Sequence, residues 1–194
     1  MMNRIASSRR SAGSLLVVVL VIAGGATVLV AGRGAGEAGA DSVVAELSAL
    51  RSSPPASETL PEQIATGFVR DEGGQMESAR SVGEFEGSDY YLIPTDADQL
   101  CLVSTDPNGL SGGACVNRTQ LLKGVSVISH APDGRRLVAT IVPDGYREPE
   151  IADASVMKQS AVRRNVAFAK LGKGQAKLRM PGEAGRPDIT YTIH

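Results

Sequence analysis

The sequence predicts a mainly β domain, an antiparallel sheet or sandwich with one or two short helices, preceded by an N-terminal transmembrane helix. Three observations carry this. Residues 15–32 read LLVVVLVIAGGATVLVAG, a run of eighteen without a charge. From Tyr90 onward, short apolar runs alternate with Gly, Pro, Asn and Asp clusters, the texture of strands joined by turns. Gly and Pro together contribute 32 of 194 residues, which favours turns over long helices.

The apolar run comes first. As a helix it would rise about 27 Å, against a hydrocarbon core roughly 30 Å thick. Arg4, Arg9 and Arg10 precede it, whereas only Arg33 follows closely, before Glu37 and Asp41. That bias places the N-terminus inside and the bulk of the chain outside the cytoplasmic membrane of a bacterial cell. The division expected is a cytoplasmic tail over 1–14, a transmembrane helix over 15–32, a flexible neck with a short helix over 33–58, and an extracytoplasmic β-rich α+β domain over 59–194. The alternative is a secreted chain cleaved near Ala40, because Ala38-Gly39-Ala40 has the small-residue spacing of a signal-peptide site. The apolar run is longer than the 7–15 residues usual for a signal core, which favours retention.

Beyond the neck, Asp41 or Ser42 is placed to cap a helical turn in which Val43, Leu47 and Leu50 share one face, with Pro54-Pro55 ending it. Two turns are too few for a free helix, so a packed stalk is expected. Thr59 and Glu62 have capping-box spacing around Pro61, predicting a helix from Leu60 to about Phe68. Gln75 to Val82 suggests one further helical turn. Strands are then expected at 90–93, 100–103, 114–116, 125–129, 136–142, 163–169, 176–179 and 189–193, with one helical turn at 119–123. The strongest turn signals are Pro132-Asp133-Gly134 and Pro143-Asp144-Gly145, where Gly permits positive φ and Asp bonds the following backbone.

Cys101 and Cys115 are the chain's two cysteines, and an even count outside the cytoplasm reads as a disulfide. Closing a loop of about 15 residues is worth roughly 3 kcal/mol in the chain-entropy picture. A metal site would need more ligands than His130 and His194 add, so no metal and no cofactor is expected. Charge is uneven. Residues 1–40 carry four basic and one acidic side chain, 41–160 nine and eighteen, and 161–194 seven and two. Within the last stretch Arg163, Arg164, Lys170, Lys173 and Lys177 form a candidate contact for an anionic surface, such as lipid headgroups or wall polymers. A solvated face balancing the acidic middle is the simpler reading. Scarce aromatics (three Phe, four Tyr, no Trp) remove the stacking platforms of single-stranded nucleic-acid binders.

Leu100-Cys101-Leu102-Val103, Gly112-Gly113-Ala114-Cys115, Val142-Pro143-Asp144-Gly145 and Arg164-Asn165-Val166 occur here in that order. Together they resemble a group of uncharacterised single-pass membrane-anchored or secreted proteins of high-GC bacteria, over residues 90–170. The resemblance implies architecture and localisation, and no activity. One departure is that Tyr146-Arg147-Glu148-Pro149 interrupts the strand such proteins place straight after the Pro-Asp-Gly turn.

No reaction is legible. Gly109-Leu110-Ser111-Gly112-Gly113 matches the hydrolase G-x-S-x-G spacing, but a helix should follow the serine and the sequence predicts a strand. The expected role is therefore non-enzymatic binding or structure in the cell envelope, with the bilayer and an envelope protein or polymer as partners and no nucleic acid. The alternative is an envelope serine hydrolase using Ser111, with Asp144 and His194 as conceivable helpers. Glu84/Glu86 and Asp96/Asp98 lack the ligand density of a calcium loop and read as solvated charge.

Overall fold

The computed structural model describes residues 19–22, 42–51, 60–64, 73–109, 111–130, 134–152 and 155–194. Twelve strands occur among them: β1 (Val19–Ile22), β2 (Arg80–Phe85), β3 (Ser88–Pro94), β4 (Leu100–Thr105), β5 (Ser111–Val116), β6 (Val125–His130), β7 (Arg136–Ile141), β8 (Glu150–Ala152), β9 (Val156–Gln159), β10 (Val166–Leu171), β11 (Ala176–Met180) and β12 (Ile189–Ile193). They form three sheets, with orders β1-β6-β7-β10-β9, β2-β3-β4-β5 and β12-β11-β8. All of the pairings are antiparallel. The mainly β expectation holds, and the choice between one curled sheet and a sandwich resolves into packed sheets.

The five-stranded sheet lies between the other two, which explains its sequence. A strand buried on both faces reads as a continuous apolar run rather than an alternation. In β6, Val125 and Val127 enter a core shared with Val82, Tyr90, Leu92 and Leu102 of the four-stranded sheet. Ile128 points the other way, into a core with Leu178, Met180, Tyr191 and Ile193 of the three-stranded sheet. In β10, Val166 and Phe168 face the first core, and Ala167, Ala169 and Leu171 the second. The outer strands alternate instead: β11 and β12 bury every second residue. A third cluster, with Tyr91, Ile93, Cys101 and Val103, lies on the far face of the four-stranded sheet under Ile64 and Ala79.

Before β2 the chain makes short helical turns only. Val43–Glu46 is a 3-10 turn capped by the Ser42 hydroxyl, followed by Ser48–Arg51. Val43, Leu47 and Leu50 share the buried face expected of them and plug the first core. Residues 42–51 are thus packed on the domain, as a stalk lying against it. Of the helix expected over 60–68, Glu62–Ile64 is helical; Thr59 and residues 65–68 lie outside the described residues. The turn expected near Gln75 is a 3-10 turn at Met76–Ser78, and the chain is already a strand at Arg80, where a helix was expected to continue. The turn expected at 119–123 is Arg118–Leu121, closed by a full capping box between Asn117 and Gln120.

The expected membrane helix needs a correction where it is described. Val19–Ile22 is extended and pairs with β6, from Val19 opposite Ile128 to Ile22 opposite Val125. β-Branched Val and Ile favour the strand, and the apolar edge of β6 offers backbone partners. Residues 1–18 and 23–41, the rest of the run and Ala40 included, lie outside the described residues. Among the described residues, no helix is long and apolar enough to cross a membrane.

Candidate functional site: a polar latch on the Ser42–Arg51 segment

A dense polar constellation joins the Ser42–Arg51 segment to four distant loops and one helical turn. It uses one of the two turns singled out above. Gly145 takes φ +81°, as a Pro-Asp-Gly turn requires, and the Asp144 amide donates to the Glu46 carbonyl at 2.8 Å. The Asp144 carboxylate accepts from Arg51 at 2.6 Å and from the Asn165 amide at 2.9 Å. Burial pushes that carboxyl's pKa up. The bonds from Asn165 and Ser48, with the Arg51 charge, outweigh it and hold it below its ordinary value.

Asn165 is the centre of the latch. It sits at φ +63°, in the left-handed region that Asn tolerates better than most residues. Its Oδ1 accepts from the Ser48 hydroxyl and the Ala49 amide, and its Nδ2 donates to the Val142 carbonyl and to Asp144. Both its donors and its acceptor are thereby used. Glu46 adds a buried carboxylate, bonded by Arg118 at 2.6 and 2.8 Å and by Arg186 at 3.4 Å. At the segment's start, Asp98 accepts from the Ser42 hydroxyl and the Val43 amide. A cleft of about 470 Å³ opens here, lined by Ser48, Asp144, Tyr146, Val162, Arg164 and Asn165 among others. Asp144, Asn165 and Ser48 bond to one another, which makes the arrangement a fastening.

The remaining predicted residues are dispersed. Cys101 and Cys115 are directly opposite on β4 and β5 and form the expected disulfide. In the other turn, Pro132 and Asp133 lie outside the described residues, while Gly134 takes φ +78° with the Lys173 side chain over it. The candidate basic surface is divided among several elements. Arg163 is exposed, and Arg164 donates to the Ser81 carbonyl. Lys170 is held by Glu86, which also pairs with Lys158 at 2.7 Å. Those two ammonium groups lower the Glu86 pKa to about 2. Lys177 is exposed on β11, across from Ala152 and Thr192.

Ser111 begins β5 opposite Thr105. His130 ends β6 opposite Arg136, and the His194 ring bonds the Gln175 amide. Asp144 is engaged by Arg51 and Asn165, and the His194 ring by Gln175, so these two side chains have partners other than Ser111. Among the described residues, no group of three His, Cys, Asp or Glu side chains is arranged to hold a metal. Sequence reasoning missed Glu46, Asp98 and Asn165 as a unit. The Arg164-Asn165 pair at a strand start was the one available signal, and Asn165's partners lie 21 to 117 residues away.

Two further buried polar features belong to the central sheet. Ser126, Thr140 and Tyr191 join their hydroxyls at 2.8 and 2.7 Å between layers. Burial, partly offset by those bonds, raises the Tyr191 pKa to about 12. Arg136 is buried, and its side chain donates to the Gly172 carbonyl; among the described residues its Nε and Nη1 have no hydrogen-bond partner. The chain matches no protein-family model, no curated protein and no solved structure. Its class is therefore given by its own geometry: a disulfide-bearing domain of stacked antiparallel sheets.

Proposed function

We propose that this chain is a single-pass protein of the bacterial cytoplasmic membrane. Residues 15–32 are its anchor, its N-terminus is inside, and its β domain works outside as a non-enzymatic binding or structural module of the envelope. The Cys101–Cys115 disulfide carries the reading, because such bonds persist in oxidising compartments and are rare in the cytosol. The arginine bias around the uncharged run supports the same orientation. The latch supports a structural or binding role, since its acidic and amide groups bond to one another. Loops at the sheet ends are the contact surface for an envelope protein or polymer.

The test is labelling in intact cells. Lys177, exposed on β11, is replaced by cysteine and treated with a membrane-impermeant maleimide. Labelling without lysis is the expected result; labelling only after lysis overturns the reading. The mass of the mature N-terminus separates the anchored form from one released at Ala40.

A further inference from the structure

With Val19–Ile22 set aside, the two sides of the five-stranded sheet are built differently. On one side lies β9, exposed at all four positions and carrying Lys158. Its pairing with β10 is broken by a register shift between Lys170 and Leu171. Charge and irregularity of this kind keep an edge from recruiting another strand. On the other side β6 reads Val-Ser-Val-Ile-Ser-His, with no charged residue, proline or bulge. Its first five residues are buried. This is the sequence of an interior strand, and the structure gives it a neighbour, Val19–Ile22.

Those four residues belong to the eighteen-residue uncharged run. They cannot lie in a bilayer as helix and in the sheet as strand at once. In each place the backbone groups are satisfied, by helix bonds in lipid or by β6 in the sheet. We infer that the β6 edge, Val125–His130, is a strand-accepting site for the chain's own Val19–Ile22 segment, and that membrane insertion and sheet addition compete for it. The acceptor half stands on β6 alone; the competition rests on the anchor reading above. Inserting the segment uncovers an apolar edge next to the membrane, open to an extended strand from a partner.

The test uses the full chain, made by cell-free synthesis with or without phosphatidylcholine/phosphatidylglycerol vesicles, and residue-resolved amide exchange. Without lipid, the amides of Val125–His130 that point away from β7 are expected to be protected along with those bonded to it. A Leu20→Pro/Val21→Pro double variant removes two successive N–H donors, one of which faces β6 in any register. It is expected to speed exchange there about tenfold or more, with β4 amides unchanged. No change in the variant overturns the acceptor site. Loss of protection on dilution of the wild type shows that a second copy supplies the strand, and overturns the assignment to the chain's own segment. With vesicles, the chain is expected to float with the lipid and to exchange at β6 like the proline variant. Flotation with full β6 protection overturns the competition and leaves the anchor standing. A chain that does not float overturns the anchor and the competition together, while the proline variant still decides the acceptor site.

Discussion

At the scale of single residues, Asn165 and Arg136 are opposites. Asn165 is buried with its hydrogen-bonding capacity used, in a backbone conformation few side chains accept. Asn165→Ala leaves the Ala49 amide and the Val142 carbonyl without it and keeps the positive φ. The expected loss is about 3 kcal/mol in a denaturant titration. Arg136 is buried with two donor nitrogens unanswered, so its charge is poorly compensated. Arg136→Met keeps the length and removes the desolvation cost, and is expected to be neutral or stabilising by about 1–2 kcal/mol. A loss above that size would show that Arg136 is better compensated than its contacts indicate. Glu86 gives a pH dependence. Its folded pKa, about 2, lies below the ordinary 4.5, so the Lys158 and Lys170 pairs contribute stability above pH 4.5. That contribution is lost as pH falls from 4.5 through 2. The stability difference between wild type and Glu86→Gln is therefore expected to shrink over that interval.

At the scale of elements, legibility followed burial pattern. β12 was read from end to end because Ile189, Tyr191 and Ile193 alternate with threonines, and β11 as far as Arg179 because Ala176 and Leu178 alternate with cations. The central strands were visible as apolar runs between turn residues. Besides β1, which was read as part of a membrane helix, three strands were not. β9 is exposed along its length, β8 has three residues, and β2 contains Gly83 at a register shift. Each is a strand because a neighbour pairs with it, and no local pattern announces that. The latch was invisible for the same reason, since its partners meet only after folding. The β4–β5 pair allows a direct test. Cys115 lies opposite Cys101 at the sheet edge, with Gly113 and Gly112 two and three residues away on the same strand. Glycines hold a strand weakly, so the covalent link offsets them. A Cys101→Ala/Cys115→Ala variant is expected to lose about 3 kcal/mol, read from chemical denaturation.

At the scale of the whole molecule, the two larger cores share the central sheet. Leu102 fills the first core and Leu178 the second. Leu102→Ala and Leu178→Ala should each cost about 2–5 kcal/mol and shift one common unfolding transition. Two separated transitions in calorimetry would show that the layers are independent. The gap between layers is narrow on one side. Gly124, at φ +93°, lies so close to the Tyr191 ring that an added Cβ would clash with it.

The latch has a mechanical consequence. A pull on the backbone at residue 42 does not begin by peeling a strand from a sheet. It loads the Asp98, Glu46 and Asn165 attachments together, because all three grip the same ten residues. Tension applied at Ser42 passes to the turn before β4, the Arg118 helical turn and the loop before β10. The domain then answers such a tug as one body, and the ten-residue handle gives way before the layers do.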